Sequence, residues 1–138
     1  MVKHTIKRSE EREFALKMLY ASEFNDDSYR LQVKRLDEES RAKATAYVEL
    51  LVNLYKKHKI EFDQQIKEIL ENWELDRVAI IDKVILRMAI AEIIYFDDIP
   101  PQVSINEAIE LAKKYSTARS GKFINGILDA VYRKQKNK

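Results

Sequence analysis

Cysteine is absent from the 138 residues, and glycine and proline occur only twice each. The first absence excludes disulfides and thiolate metal sites, without fixing the compartment. The second leaves little turn chemistry, which argues against a sandwich or barrel and for long helices joined by short links. No uncharged run approaches the roughly 18 residues that a membrane span needs. The opening MVKHTIKRSEER also lacks the apolar core of a signal peptide. A soluble, cytoplasmic protein is the expectation. Histidine is scarce too: His4 lies in a tail and His58 on a lysine-rich helix end, and neither has metal-ligand spacing. Two glycines cannot build a dinucleotide fingerprint or a phosphate loop, and no serine stands in a nucleophile elbow. Neither catalysis, nor a cofactor, nor a metal is expected.

What is present is an ordinary apolar fraction, 46%, enough for a folded core in one domain or in two small bundles. The net charge is only +2, but it is unevenly spread. From Lys113 onward eight Lys or Arg face a single acid, Asp129, giving +7 and leaving −5 for residues 1–112. A basic C-terminal quarter on an acidic body points to an anionic partner at one end. For residues 133–138 alone, a solvated, frayed lysine-rich tail is the better account of the charge.

Helical spacing recurs along the chain. Ala15, Met18, Leu19 and Ser22 share one face of a first helix, with Ser9 placed to cap it, and the turn formers of NDDS at 25–28 end it. Ser40 is placed to cap a second helix with an apolar face of Ala44, Tyr47, Val48, Leu51 and Tyr55. After a short break, Phe62, Ile66, Ile69, Leu70 and Trp73 continue the pattern. In DRVAIIDKVILRMAIAEIIYF apolar residues occupy more than one face, so this helix should be buried on several sides. Within it, Arg87 and Glu92 should be consumed by buried hydrogen bonds. The two prolines of DDIPPQ stop it. Ser104 with Glu107 then reads as a capping box for the next helix, striped by Ile105, Ala108, Ile109 and Ala112. The fold class is all-α, with about six or seven helices. They divide into an N-terminal bundle at about 1–73 and a C-terminal bundle at about 74–138.

Both glycines fall inside STARSGKFINGIL, beside Lys122 and Phe123. With Ser120 as cap, Lys122 and Phe123 lie in the first turn of the last helix. The stripe Ile124, Ile127, Leu128 and Val131 turns inward. Phe123 then falls about 90° from that stripe and Gly126 about 150°, neighbours on the outward flank. A glycine inside a helix costs about 1 kcal/mol relative to alanine, so something should approach closely there: another helix, or a flat aromatic ligand. Free N–H groups of the first turn, Lys122 and Arg119 would suit a phosphate. An exposed ring amid cations suits the bases of single-stranded RNA.

Three segments, WELDRVAIIDKVILRMAIAEI, DIPPQVSINEAIELAKKYS and KFINGILD, stand in order, and EREFALKMLYA precedes them near the start. With these the chain resembles the NusB family of bacterial transcription antitermination and ribosomal RNA processing factors, over nearly its whole length. The resemblance implies two small helical bundles packed together and no catalysis. It implies binding of boxA-type single-stranded RNA of ribosomal RNA leaders, jointly with the ribosomal protein that doubles as NusE. That assembly helps RNA polymerase read through terminators. Carried over by motif, the RNA surface comprises Phe123, Lys122, Lys7, Arg8 and Arg12, to which the charge pattern adds Arg119. The NusE-facing surface comprises Tyr20, Asp82 and Asp76, while Arg87 and Asn106 look like fold residues. Some members are thought to dimerise, so a homodimer is compatible with this reading.

Two departures from the pattern stand out. KRSEER inserts Glu10 and Glu11, and residues 1–13 carry four Lys or Arg against three Glu. Phosphate affinity from that end should fall, because each neutralised phosphate adds to binding through counterion release. Arg119 conversely adds a cation at the start of the last helix, so the grip on RNA should shift there. Two competing readings are a homo-oligomeric helical scaffold and a NusB-like accessory domain of an RNA methyltransferase.

Overall fold

A computed structural model describes residues 5–71 and 74–137; His4, Trp73 and Lys138 lie outside them. Among the described residues there are seven α-helices, one 3-10 turn and no strand. The helices are α1 (Arg8–Ser22), α2 (Tyr29–Lys34), α3 (Glu38–Arg41), α4 (Ala46–Ile69), α5 (Ile80–Tyr95), α6 (Pro101–Tyr115) and α7 (Ala118–Lys136), with the 3-10 turn at Leu75–Arg77. None of the described helices is long and apolar enough to cross a membrane. The chain forms two compact units, Met1–Asn53 and Leu54–Lys138. The division falls inside α4, earlier than the position near residue 74 that the periodicity suggests. The expected break between Tyr55 and Phe62 is a kink within one helix, where His58 has φ −112° and ψ 15°.

In the first unit, α1 buries Phe14, Ala15, Leu16, Met18 and Leu19, and the start of α4 buries Tyr47, Val48, Leu51 and Val52. Each such Leu, Val or Phe contributes about 1.5–3 kcal/mol. The short helices are fixed by polar bonds rather than by core. Ser28 caps α2 by accepting from the Leu31 N–H (3.2 Å), and Asp37 caps α3 by accepting from the Ser40 N–H (2.7 Å). Gln32 Nε2 donates to the Met18 carbonyl at 2.9 Å, tying α2 to α1. The Ser40 backbone and side chain hold the Asp37 carboxyl below the ordinary carboxylate range.

Four caps differ from the sequence reading. Helix α1 starts one residue before Ser9, with Lys7 as N-cap and its backbone N–H donating to Glu10 Oε1 (3.4 Å). Ser40 sits inside α3, and Thr45 caps α4 by accepting from the Val48 N–H at 3.4 Å. Pro101 begins α6, three residues before Ser104. Proline is favoured at a first helical position because its missing N–H would be unpaired there anyway. Thr117, not Ser120, caps α7, accepting from the Ser120 N–H at 3.0 Å.

In the second unit α5 is central, packed against both α6 and α7, which also pack on each other. Val84 through Glu92 are all buried, as a helix apolar on several faces requires. Arg87 reaches Asp63 on α4 through a fork, Nε to Oδ1 at 2.7 Å and Nη2 to Oδ2 at 3.1 Å, and its Nη1 donates to Tyr55 Oη at 3.0 Å. Burial alone would lower the Arg87 pKa, but Asp63 and Tyr55 hold it above the usual guanidinium value. Ser104, freed from capping, donates to Glu92 Oε1 at 2.9 Å. Arg87 and Glu92, two of the three buried charges of α5, are thus engaged within the fold, as their setting in the sequence implies. Asn106 instead is exposed and accepts from Gln102, one turn earlier on α6.

Candidate nucleic-acid interface

The start of α7 is built by three hydroxyls. Thr117 caps the helix, and Ser116 and Thr117 both donate to the Ser120 Oγ, at 3.0 and 3.1 Å. Ser120 in turn donates a hydrogen bond to Asp82 Oδ2 at 2.9 Å. Asp82 lies in the first turn of α5, where the helix dipole favours a carboxylate. A chain of hydrogen bonds therefore fixes the front of α7 against the front of α5. Between them opens a cavity of about 600 Å³, lined by Arg77, Val78, Ala79, Asp82, Arg119, Ser120 and Phe123.

Moving the cap from Ser120 to Thr117 shifts Lys122 and Phe123 into the second turn of α7. The first-turn N–H groups thus belong to residues 118–120, ahead of both side chains. Phe123 is partly exposed at the cavity, Arg119 and Lys122 are exposed, and Ile124, Ile127, Leu128 and Val131 are buried. The two glycines have different surroundings. A Cβ on Gly121 would meet Ile109 Cγ2 at 3.6 Å and Lys113 Cγ at 3.7 Å on α6, ordinary contact distances. A Cβ on Gly126 would meet nothing within 4 Å. Neither glycine is demanded by the packing of this chain, and Gly126 leaves bare backbone on the outward flank beside Phe123.

In the first unit Lys7 and Arg8 are exposed at the start of α1. Arg8 lays its guanidinium over the Tyr47 ring, 3.9 Å from the centroid, and stands 3.7 Å from Glu11. Arg12 is 5% exposed and 6.0 Å from the same ring. That burial corrects the expectation that Arg12 offers itself to a phosphate: it supports Tyr47 from within. The two inserted acids have structural duties. Glu10 caps α1, and Glu11, buried, accepts from the Thr45 hydroxyl.

The expected partner surface is likewise divided. Tyr20 is exposed at the end of α1, edge-on to Phe24 at 5.1 Å between centroids. Phe24 is 64% exposed and was missed, although its place four residues after Tyr20 marks it as a neighbour. Asp76 is exposed in the 3-10 turn. Asp82 is only 6% exposed and lines the cavity, so any partner group meets it there. Arg77, outside the basic C-terminal quarter, also escaped the sequence reading. Only the approach of α5 and α7 places it with Arg119.

A family model described as the NusB family matches residues 9–133. The chain belongs to the NusB family. A Chloroherpeton thalassium protein named transcription antitermination protein NusB is 45% identical to it over 136 residues. The match covers 96% of this chain, which spans 64% of that relative's length. The solved structure of T. maritima NusB superposes with a TM-score of 0.79 at 32% identity, covering 94% of this chain and 93% of that one. A crystal structure of the antitermination factors NusB and NusE in complex with double-stranded RNA superposes with a TM-score of 0.74 at 25% identity, covering 92% and 96%. The all-helical NusB fold expected from the motifs is therefore the fold observed.

Proposed function

We propose that this NusB-family chain is a transcription antitermination factor of the cytoplasm. It binds boxA-type single-stranded RNA of ribosomal RNA leaders together with the ribosomal protein NusE, and helps RNA polymerase read through terminators. It acts by binding and performs no catalysis, and it folds and works as one NusB-like domain. The observation that carries the reading is Phe123: a ring partly exposed at the mouth of a cavity, next to Arg119, with Lys122 exposed beside it. Unstacked bases lie on such rings while cations hold the backbone. Lys7 and Arg8 add phosphate contacts in the first unit. Glu10 and Glu11 weaken them less than their charge suggests, because both are engaged within the fold. Gly126 lets a strand lie close to the α7 backbone.

The solved NusB–NusE complex with RNA supports the choice of partners. Its RNA is double-stranded, whereas a partly exposed ring is better matched to bases outside a duplex. In the first unit Tyr20 and Phe24, two adjoining aromatic rings, are the proposed anchor for NusE, and in the second unit Asp76 and Asp82 are further proposed contacts. The test is a titration of labelled leader RNA with this protein, alone and with NusE. Phe123→Ala should weaken binding by about 1–3 kcal/mol, the scale of one stacking aromatic, with the helical signal and melting nearly unchanged. A protein that ignores the RNA in both settings refutes the proposal. A dimer whose size is unchanged by saturating RNA would favour the scaffold reading.

A further inference from the structure

Tyr47 is buried at the start of α4, yet an exposed cation rests on its ring. The Arg8 guanidinium carbon stands 3.9 Å from the ring centroid, the contact distance of a stack, and that of Arg12 stands 6.0 Å away. Glu11 completes the arrangement within the first unit. Its Oε2 accepts from the Thr45 hydroxyl, and its Oε1 lies 3.7 Å from Arg8 Nε. The ring thus covers one face of the guanidinium, and the buried carboxylate stands at its Nε edge. The two terminal nitrogens of Arg8 make no hydrogen bond and no ion pair among the described residues, and the side chain is 45% exposed. An exposed arginine ordinarily samples many rotamers and loses that freedom when it binds. Arg8 has given up much of it on folding.

We infer that Tyr47 is a positioning residue for RNA: its ring holds Arg8 so that the two terminal nitrogens are left open for one phosphate of the strand. The inference rests on the RNA-binding reading above and adds to it a residue that need not touch RNA. All the N–H donors of a guanidinium lie in its plane, so a ring on its face leaves them uncovered. With Glu11 at the Nε edge, the edge formed by the two terminal nitrogens remains, and that fork matches two oxygens of a phosphate. A side chain already held in place loses less freedom when the phosphate arrives, and binds more tightly for it. Glu11 has a part in this as well. Its oxygens face Thr45 and Arg8, so an acid that opposes RNA by its charge steadies the cation that receives it.

The experiment follows labelled single-stranded leader RNA binding to the full chain across a salt series. Arg8→Lys keeps the charge but loses the planar fork and its stack. It should bind about 3- to 10-fold more weakly, the range for one side chain no longer held in advance. Its salt dependence should be unchanged, because the number of cations is the same. Tyr47→Phe keeps the ring face and should bind as the unaltered protein does. Tyr47→Leu removes the face; it should show the same loss on its own and no further loss when combined with Arg8→Lys. A ring that serves only the core would lose affinity equally in both backgrounds, and that result overturns the inference. So does an Arg8→Lys protein that binds RNA as tightly as the parent, a comparison independent of how any Tyr47 variant folds. Loss of NusE with an unaltered RNA affinity in Arg8→Lys overturns it too. If the unaltered protein binds no leader RNA, the RNA-binding reading itself fails.

Discussion

Replacing Gly126 with alanine separates what α7 needs from what a ligand needs. An added Cβ meets nothing within 4 Å, so the substitution brings no clash and no new packing. What remains is backbone entropy. Alanine in a helix interior is favoured over glycine by about 1 kcal/mol. For a chain of this size that raises Tm by about 3–5 °C. The bound state should respond with the opposite sign. A strand lying against bare backbone beside Phe123 must move away by a methyl radius. The lost van der Waals contact and displaced phosphates should cost about 1 kcal/mol, or roughly a fivefold loss of RNA affinity. Differential scanning calorimetry reads the first effect, and fluorescence anisotropy with labelled leader RNA reads the second. Gly121→Ala serves as the control. It gains the same helical preference and makes ordinary contacts with Ile109 and Lys113, but it faces α6 and should leave RNA affinity alone. The reasoning is refuted if Gly126→Ala melts higher and binds RNA as tightly as before.

Other substitutions test other parts of the argument. Asp63→Ala strips the carboxylate from a guanidinium that is only 4% exposed, and should cost about 3 kcal/mol in urea unfolding. Combining it with Arg87→Met should recover part of that loss; a single variant as stable as the parent would show the pair to be idle. Arg119→Asp should weaken RNA binding and flatten its salt dependence, since fewer phosphates are neutralised; an unaltered slope counts against the shifted grip. The Tyr29 hydroxyl, buried without a partner, is pushed up to about 12 by its burial and then by Glu49. Because that value lies above the ordinary one, the neutral phenol favours the fold below about pH 10, and this contribution disappears as pH rises through the folded value. Absorbance titration should show late tyrosinate formation near the alkaline end, reduced by one tyrosine in Tyr29→Phe.

Legibility followed the range of each interaction. The multi-faced apolar run of α5, the stops at NDDS and DDIPPQ and the inward stripe of α7 depend on periodicity and local backbone chemistry. The buried fates of Arg87 and Glu92 followed from a charge set inside that run, although their partners Asp63 and Ser104 did not. Caps were read less well. Serines at 9, 40, 104 and 120 all have capping chemistry, but a hydroxyl also bonds wherever tertiary structure offers a carboxylate. Glu92 took Ser104 and Asp82 took Ser120, while a proline and a threonine started those two helices.

The site shows the same division. Phe123, Lys122 and Arg119 are neighbours in one short segment, so their clustering is a property of the chain and survives any packing. The two inserted glutamates counted against the N-terminal end as bare charges, yet their effect is set by Lys7 and Thr45, one nearby and one distant in sequence. Composition and spacing alone determined an all-helical chain with a basic last helix carrying an aromatic on its flank. Only the tertiary structure buried Arg12, brought Arg77 beside Arg119, and left Asp82 with one oxygen unclaimed. Periodicity records which face of a helix turns inward; which side chain waits there depends on helices distant in the sequence.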